Sequence, residues 1–330
     1  MKHRYPEMDG LRAAAALAVV VIHTSAGGTS PLLFACNQLA RFAVPLFLML
    51  SGFGHAGQPP AAGKRWADCR RRLGRILPAY FVWSAVYLAV DAAFGKPHAH
   101  PLRDLLLGGS YIHLYYLFVL TQFVLLSAWL IDAVRRKPAW TLAGAAVLSL
   151  AAQLLRELEL LGCITLPETV LPFARWFMPW TIFYVAGAWL RQHSAWQRLS
   201  PLVTAPLWAA SAALVLLTAK HFPAVGASSL RLDLTLYVFA SWLLLWSVFR
   251  RLPALRAVRF VSRHSFGLYL AHPLVMRLWN EWVARRETAV YLGLWQRCAM
   301  AAAGGLAIAW ALSLLPRGTY LGGAARNQEK

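Results

Sequence analysis

Ten runs of apolar residues, each long enough to cross a lipid bilayer, follow one another along this chain of 330 residues. A membrane-crossing helix needs about 20 mostly apolar residues, with a range of roughly 17–25. Such runs lie at 11–27, 39–56, 75–94, 111–131, 139–157, 170–190, 201–219, 232–249, 264–283 and 290–315. Pro172 and Pro179 interrupt the sixth, and Arg277, Asn280 and Glu281 fall in the last turns of the ninth. The runs are continuous rather than alternating, so helices are expected and a β-barrel is not. A soluble fold is excluded by composition: 59% of the residues are apolar and 14% charged, against about 45–50% and about 25% in soluble domains. The predicted fold class is all-α, a polytopic membrane bundle of about ten helices. It forms one domain over 1–330, with both termini cytoplasmic.

The charge sets the orientation. Lys and Arg number 33 against 13 Asp and Glu, a formal net charge of +20. In a soluble chain that balance points to nucleic acid; in a membrane chain Lys and Arg collect in cytoplasmic segments. With the N-terminus inside, the inner segments hold Lys2, Arg4 and Arg12, then Lys64 to Arg75, Arg135 to Lys137, Arg191 and Arg198, Arg250 to Arg263, and Arg317, Arg326 and Lys330. Those segments carry 22 of the basic residues and five acids, including Glu329, for +17; the remainder carries +3. Every second connection is basic, an alternation that nucleic-acid binding does not require. No nucleic-acid partner is therefore expected, and the location expected is the cell inner membrane.

The connections are short, with no phosphate-cradling or dinucleotide-binding signature, so chemistry is expected within the bundle or at its faces. The first apolar run lacks a cleavage site and reads as a span rather than a signal peptide. Cys36, Cys69, Cys163 and Cys298 are scattered without metal-ligand spacing and read as apolar filler, with a Cys36–Cys163 bridge as the alternative. His98 and His100 have no third ligand in view, so no metal is expected.

Arg12 and His23 in the first span are eleven residues apart. At about 100° per residue that is three turns plus roughly 20°, which puts both on one face, roughly 16 Å apart along the axis. Ionisable groups at membrane depth are costly and mark function by default. The plainer readings are an interfacial anchor for Arg12 and a packed, hydrogen-bonded His23. Asp9, three residues before Arg12, is placed to pair with it or to cap the helix.

Met8-Asp9-Gly10-Leu11-Arg12, an alanine- and valine-rich run and then His23 resemble the opening helix of the integral-membrane acyltransferase-3 family. Four stretches match in order. They are Val44 to Phe53; Arg71-Arg72-Leu73-Gly74-Arg75-Ile76-Leu77-Pro78; His113-Leu114-Tyr115-Tyr116-Leu117; and Ser265-Phe266-Gly267-Leu268-Tyr269-Leu270-Ala271-His272-Pro273. The resemblance implies transfer of an acyl group, usually acetyl, from cytoplasmic acyl-CoA to a hydroxyl of a surface glycan or its polyprenyl-linked precursor. Acetyl-CoA is then a donor substrate, and no cofactor is held permanently. The compact chain is most similar to the branch acting on enterobacterial-common-antigen-type units. One departure stands out: Leu117 to Leu120 offer no acid where many members carry paired glutamates.

The residues make chemical sense independently. Acyl transfer to an alcohol needs a base, and histidine, with an ordinary pKa of about 6.5, cycles near neutrality. His23 is the candidate base, with Arg12, Asp9 and His272 as catalytic partners. CoA is polyanionic, and Arg71, Arg72 and Arg75 form a guanidinium cluster suited to phosphate, though topological anchoring also accounts for them. Ser265, Tyr269 and His272 share one helix face. With His113 and Tyr116 on the outer side they are candidates to bind the acceptor, or else are polar glue between helices. Trp176 and Trp180, near the prolines, are candidates to stack on a sugar. The competing class is a transporter of a lipid-linked sugar, an acyl carrier or an anion, for which intramembrane Arg and His and proline-broken helices are also suited. A third, a polyprenyl-sugar glycosyltransferase, lacks the acid its first outer loop would need.

Overall fold

The computed structural model describes residues 5–28, 30–61, 63–166, 172–286 and 292–324. Lys2, Arg4, Arg326, Glu329 and Lys330 of the charge pattern lie outside the described residues, as do the first residues of the sixth and tenth runs. Among the described residues the regular structure is helical throughout. The helices are α1 (Glu7–Ser25), α2 (Pro31–Ala40), α3 (Ala43–Ala56), α4 (Arg65–Ala93), α5 (Pro101–Leu106), α6 (Tyr115–Arg136) and α7 (Pro138–Leu160). They continue with α8 (Thr181–Gln192), α9 (Pro201–His221), α10 (Pro223–Gly226), α11 (Leu232–Phe249), α12 (Arg256–Ala284) and α13 (Leu294–Leu314).

Eight stretches among the described residues are long and apolar enough to cross a membrane, counting α2 and α3 as one. α8, of 12 residues, and α12 stand where the sixth and ninth runs are expected but are not among these eight. Three departures from the sequence reading have local causes. The second span starts earlier, at Pro31 with Ser30 as its cap, and breaks at Arg41–Phe42. The sixth is a 12-residue helix behind two 3₁₀ turns, because Pro172 and Pro179 remove backbone donors there. The ninth begins at Arg256, so Arg256, Arg259 and Arg263 lie on a helix rather than in a loop; likewise Arg71, Arg72 and Arg75 lie on the first turns of α4. The four cysteines are unbridged.

α1 is the inner helix. Its most apolar window is 61% buried, against 17% for α13, and it packs on α2, α3, α11, α12 and α13. Its residues explain this: Ala13, Ala15, Ala16 and Ala18 are buried and let neighbours come close. The outward faces of α7, α9 and α13 present Trp140, Val147, Leu202, Leu207 and Trp295, as lipid requires.

Hydrophobicity does not hold helices together in lipid, so close packing of small residues must do it. Across α3 and α8 the contact is backbone to backbone. A Cβ on Gly52 would lie 2.0 Å from the Tyr184 carbonyl oxygen, and one on Gly187 would lie 2.0 Å from that of Met49. Gly187→Val is therefore expected to destabilise the bundle by about 2 kcal/mol or more. Its thermal midpoint in detergent should fall well below that of the wild type, whereas Gly144→Val, with nothing within 4 Å of its Cβ, should leave it unchanged. Equal midpoints would show that the α3–α8 contact does not carry the fold.

Candidate active site

Two tiers of polar groups join α1 to α12, and both follow from helix geometry. At the end where the basic segments lie, Arg12 Nη1 donates to Ser262 Oγ at 3.3 Å, and Ser262 Oγ donates to Asp9 Oδ1 at 2.8 Å. Arg12 and Asp9 are 3.6 Å apart. Asp9 is thus a pairing residue that closes a three-member network. Eleven residues along α1 stands His23; ten residues along α12 from Ser262 stands His272. At 1.5 Å per residue these intervals are roughly 16 and 15 Å, so the two helices run in the same direction and nearly in register. The ring centroids of His23 and His272 are 5.3 Å apart.

A third histidine completes the upper tier. The sequence places His113 at the outer surface; instead it is 3% exposed. Its ring lies 6.4 Å from His23 and 5.9 Å from His272, centroid to centroid. The turn before α6 carries it inward. Tyr269 of α12 donates its hydroxyl to the His113 carbonyl, and the rings of Tyr87, Tyr111 and Tyr269 surround the imidazole at 5.0 to 5.7 Å. Tyr87 in turn donates to the Leu270 carbonyl at 2.7 Å. Three segments distant in sequence therefore deliver three imidazoles to one place.

The hydrogen bonding of this cluster is incomplete. His272 Nδ1 lies 2.9 Å from the Leu268 carbonyl. A carbonyl only accepts, so Nδ1 carries the proton and a neutral His272 presents Nε2 as an acceptor. Nε2 of His272 and both ring nitrogens of His113 are buried without a partner among the described residues. Buried polar atoms are nearly always paired, so unpaired ones in a native fold call for an explanation. His272 is completely buried and His113 nearly so, while His23 keeps some exposure. Gly305 of α13 seals the rear, since a Cβ there would sit 3.3 Å from the His272 backbone and side chain.

The remaining expected residues divide. Tyr116 is buried edge-on against Tyr269 and tilted against Phe47, and Ser265 is buried on α12; both lie in the bundle interior. Trp180 is a core side chain, 1% exposed, donating to the Ala174 carbonyl at 2.9 Å, and offers no sugar platform. Of the α4 arginines, Arg72 is fixed: Nε is 2.6 Å from Asp68 and Nη2 is 2.9 Å from the Gln58 carbonyl. Arg71 also pairs with Asp68 but is 58% exposed, and Arg75 is exposed. Arg71, Asp68, Lys64 and the Gly57–Ala61 turn line a cleft of about 440 Å³. No group of side chains among the described residues is placed to hold a metal ion.

Sequence reasoning misses Ser262, Tyr87 and Tyr111, lone polar or aromatic residues with no spacing to mark them. Nor does the sequence give His98 a role. In the turn between α4 and α5, His98 Nδ1 lies 2.7 Å from Asp104 and Nε2 lies 3.5 Å from Asp91. Asp91 also accepts from Arg277 Nε at 3.0 Å, and Arg277 and Lys96 share Glu281. The hydrogen bond to Asp104 raises the His98 pKa above its ordinary 6.5, burial opposes it, and Asp91 adds to the rise. A raised folded value means that the protonated form is favoured by folding. The stabilisation is then complete below the unfolded value near 6.5 and is lost as pH rises through the folded value. His98→Gln should accordingly lower the thermal midpoint most at mildly acidic pH, the gap to wild type closing in alkali; a constant gap would remove the charge from the account.

The acyltransferase-3 family model, described as an acyltransferase domain, matches residues 5–314. No curated protein and no solved structure matches the chain.

Proposed function

Because the chain belongs to the acyltransferase-3 family and is a membrane acyltransferase, we propose that it moves an acetyl group from acetyl-CoA to a hydroxyl of a cell-surface glycan or its polyprenyl-linked precursor. The observation that carries this reading is the meeting of His23, His113 and His272, with three ring nitrogens buried and unpaired. A site of this kind suits an alcohol, which needs an acceptor for its proton and donors and acceptors for its oxygen.

In this mechanism His23, the ring with access, takes the proton of the acceptor hydroxyl as its oxygen attacks the acyl carbonyl. His272, held by the Leu268 carbonyl, presents Nε2 beside His23, and His113 closes the pocket. Tyr269 is a positioning residue, since its hydroxyl is spent on the His113 carbonyl. Tyr116 and Ser265 shape the wall. Arg12 and Asp9 act at a distance: through Ser262 they set the register of α1 against α12, and so the approach of His23 to His272. The CoA phosphates dock on Arg71, Arg75 and Lys64 at the basic face. Arg72 secures that cleft through Asp68 and the Gln58 carbonyl. Acetyl-CoA is a substrate on this reading. The family match favours an enzyme over a carrier, and thiol release separates the two, because a carrier consumes no donor.

Membranes containing the protein and its native glycan, given acetyl-CoA, should release CoA thiol. His23→Ala should lower that release on the order of 10²- to 10⁴-fold at equal protein abundance. Undiminished turnover in that variant would remove His23 as base. Arg71→Ala with Arg75→Ala should raise the KM for acetyl-CoA by about 10- to 100-fold, as expected for losing charge-assisted hydrogen bonds worth about 1.5–3 kcal/mol. An unchanged KM would return both arginines to anchoring.

A further inference from the structure

The second span breaks beside the histidine cluster, and a cation sits at the break. Arg41 and Phe42 separate α2 from α3. Arg41 Nη2 donates to Asn37 Oδ1 at 2.9 Å, and Nη1 donates to the Ala227 carbonyl at 3.0 Å and to Ser229 Oγ at 3.2 Å. These partners are all neutral. Its Nε is buried with no partner among the described residues. Neighbouring Arg231 is handled differently: Asp233 pairs with it, and Gln38 Oε1 and the Val215 carbonyl take its other donors. The bundle thus neutralises the buried Arg231 and leaves the charge of the half-buried Arg41 in place.

The position of Arg41 gives that charge a use. Asn37, one turn earlier, donates to the Ile22 carbonyl at 2.9 Å and to Ser25 Oγ at 3.2 Å. α2 is thereby clipped to α1 on both sides of His23. Arg41 lies within electrostatic range of both His23 and Tyr115. Behind it begins α3, a helix of 14 residues, whose first N–H groups have no acceptor within the helix and whose N-terminus carries partial positive charge. A cleft of about 460 Å³, lined by Ser25, Asn37, Gln38 and Ala227 among others, opens beside Asn37 and Ala227, two of the partners of Arg41. A tether between α2 and the Ala227–Ser229 turn, or a cap on the α2 C-terminus, accounts for Nη1 and Nη2. Neither accounts for the unpaired Nε.

We propose that Arg41 is a catalytic residue, its Nε–H stabilising the oxyanion that forms when the acceptor oxygen attacks the acyl carbonyl beside His23. The inference rests on the acyl-transfer reading. The acceptor hydroxyl gives its proton to His23 and its oxygen bonds to the thioester carbon. The carbonyl π pair moves onto oxygen, which becomes an anion against Arg41. The pair returns, the C–S bond breaks, and the thiolate takes the proton from His23, giving ester and CoA thiol. Donors fixed in place before reaction and aimed at developing charge are the most effective electrostatic catalysts, and losing one typically lowers kcat about 10²- to 10³-fold.

The experiment measures thiol release from acetyl-CoA by glycan-containing membranes bearing wild type, Arg41→Gln, Arg41→Lys or Ser229→Ala, each normalised to folded protein by its thermal transition. Arg41→Gln should lose kcat about 10²- to 10³-fold with KM for acetyl-CoA unchanged. Arg41→Lys keeps the cation without the planar donor and should fall between it and wild type. Ser229→Ala loosens the tether alone and should retain wild-type kcat. Wild-type kcat in Arg41→Gln or Arg41→Lys overturns the proposal, as does a loss in Ser229→Ala equal to that in Arg41→Gln. If Arg41→Gln does not fold, Arg41→Lys decides the matter. Wild-type membranes that release no thiol would overturn the acyl-transfer reading itself, whereas an active wild type with an unaffected Arg41→Gln overturns only the role of Arg41.

Discussion

The contact between α1 and α12 organises this molecule because it is polar at both ends and close-packed between. In lipid a charged or hydrogen-bonding side chain has no water to fall back on, so it must find protein partners or line a cavity. α1 carries Asp9, Arg12 and His23, and only a central position satisfies all three. Ser262 answers the first two, and His272, with His113, meets the third. The buried alanines of α1 make that central position sterically possible, leaving room for α2, α3, α11, α12 and α13 around it. The long apolar faces are then left for the peripheral α7, α9 and α13, which need only lipid.

The polar groups outside that contact fall into separate layers with separate tasks. Near the start of α4, Asp68 gathers Arg71 and Arg72 and shapes a basic cleft. At the opposite end of α4, Asp91, Lys96, His98, Asp104, Arg277 and Glu281 knit the outgoing turn to the last part of α12. The histidine cluster lies within the bundle, walled by tyrosines of which Tyr87 and Tyr269 spend their hydroxyls on backbone carbonyls. Those bonds hold the aromatic wall rigid, while the ring nitrogens stay unpaired. Leaving polar groups unsatisfied in a site is the expected cost of preorganisation.

Much of this is legible in the order of the residues. The spans are readable because lipid imposes a length and an apolar composition that few other environments demand. His23 and His272 stand out because an ionisable residue in an apolar run is rare, and Arg12 stands out through its spacing from His23. His113 stands out too, but its depth does not: it opens the 111–131 run, and only the turn before α6, held by Tyr269, shows that it points inward. The break at Arg41 is hidden because the 39–56 run is apolar on both sides of that one arginine, and Pro45 sits in the first turn of α3, where a proline is tolerated and marks no kink. Tyr87 and Ser262 carry no spacing signal, since one aromatic or one serine in a span is ordinary.

The sequence by itself determined the solvent, the helical class, the alternation of basic segments and the presence of costly ionisable groups at membrane depth. These are local or additive properties: each follows from the composition of a stretch of about 20 residues. Only the tertiary structure decided which of those groups meet. The separation between His23, His113 and His272 is set by helix packing, by the glycine contacts of α3 with α8 and of α13 with α12, and by a tyrosine hydroxyl on a distant carbonyl. It likewise decided that Asp233 neutralises Arg231 while Arg41 keeps its charge. Arg41 falls near the start of one apolar run and Arg231 just before another; what separates their fates is which neighbour the fold brings within reach.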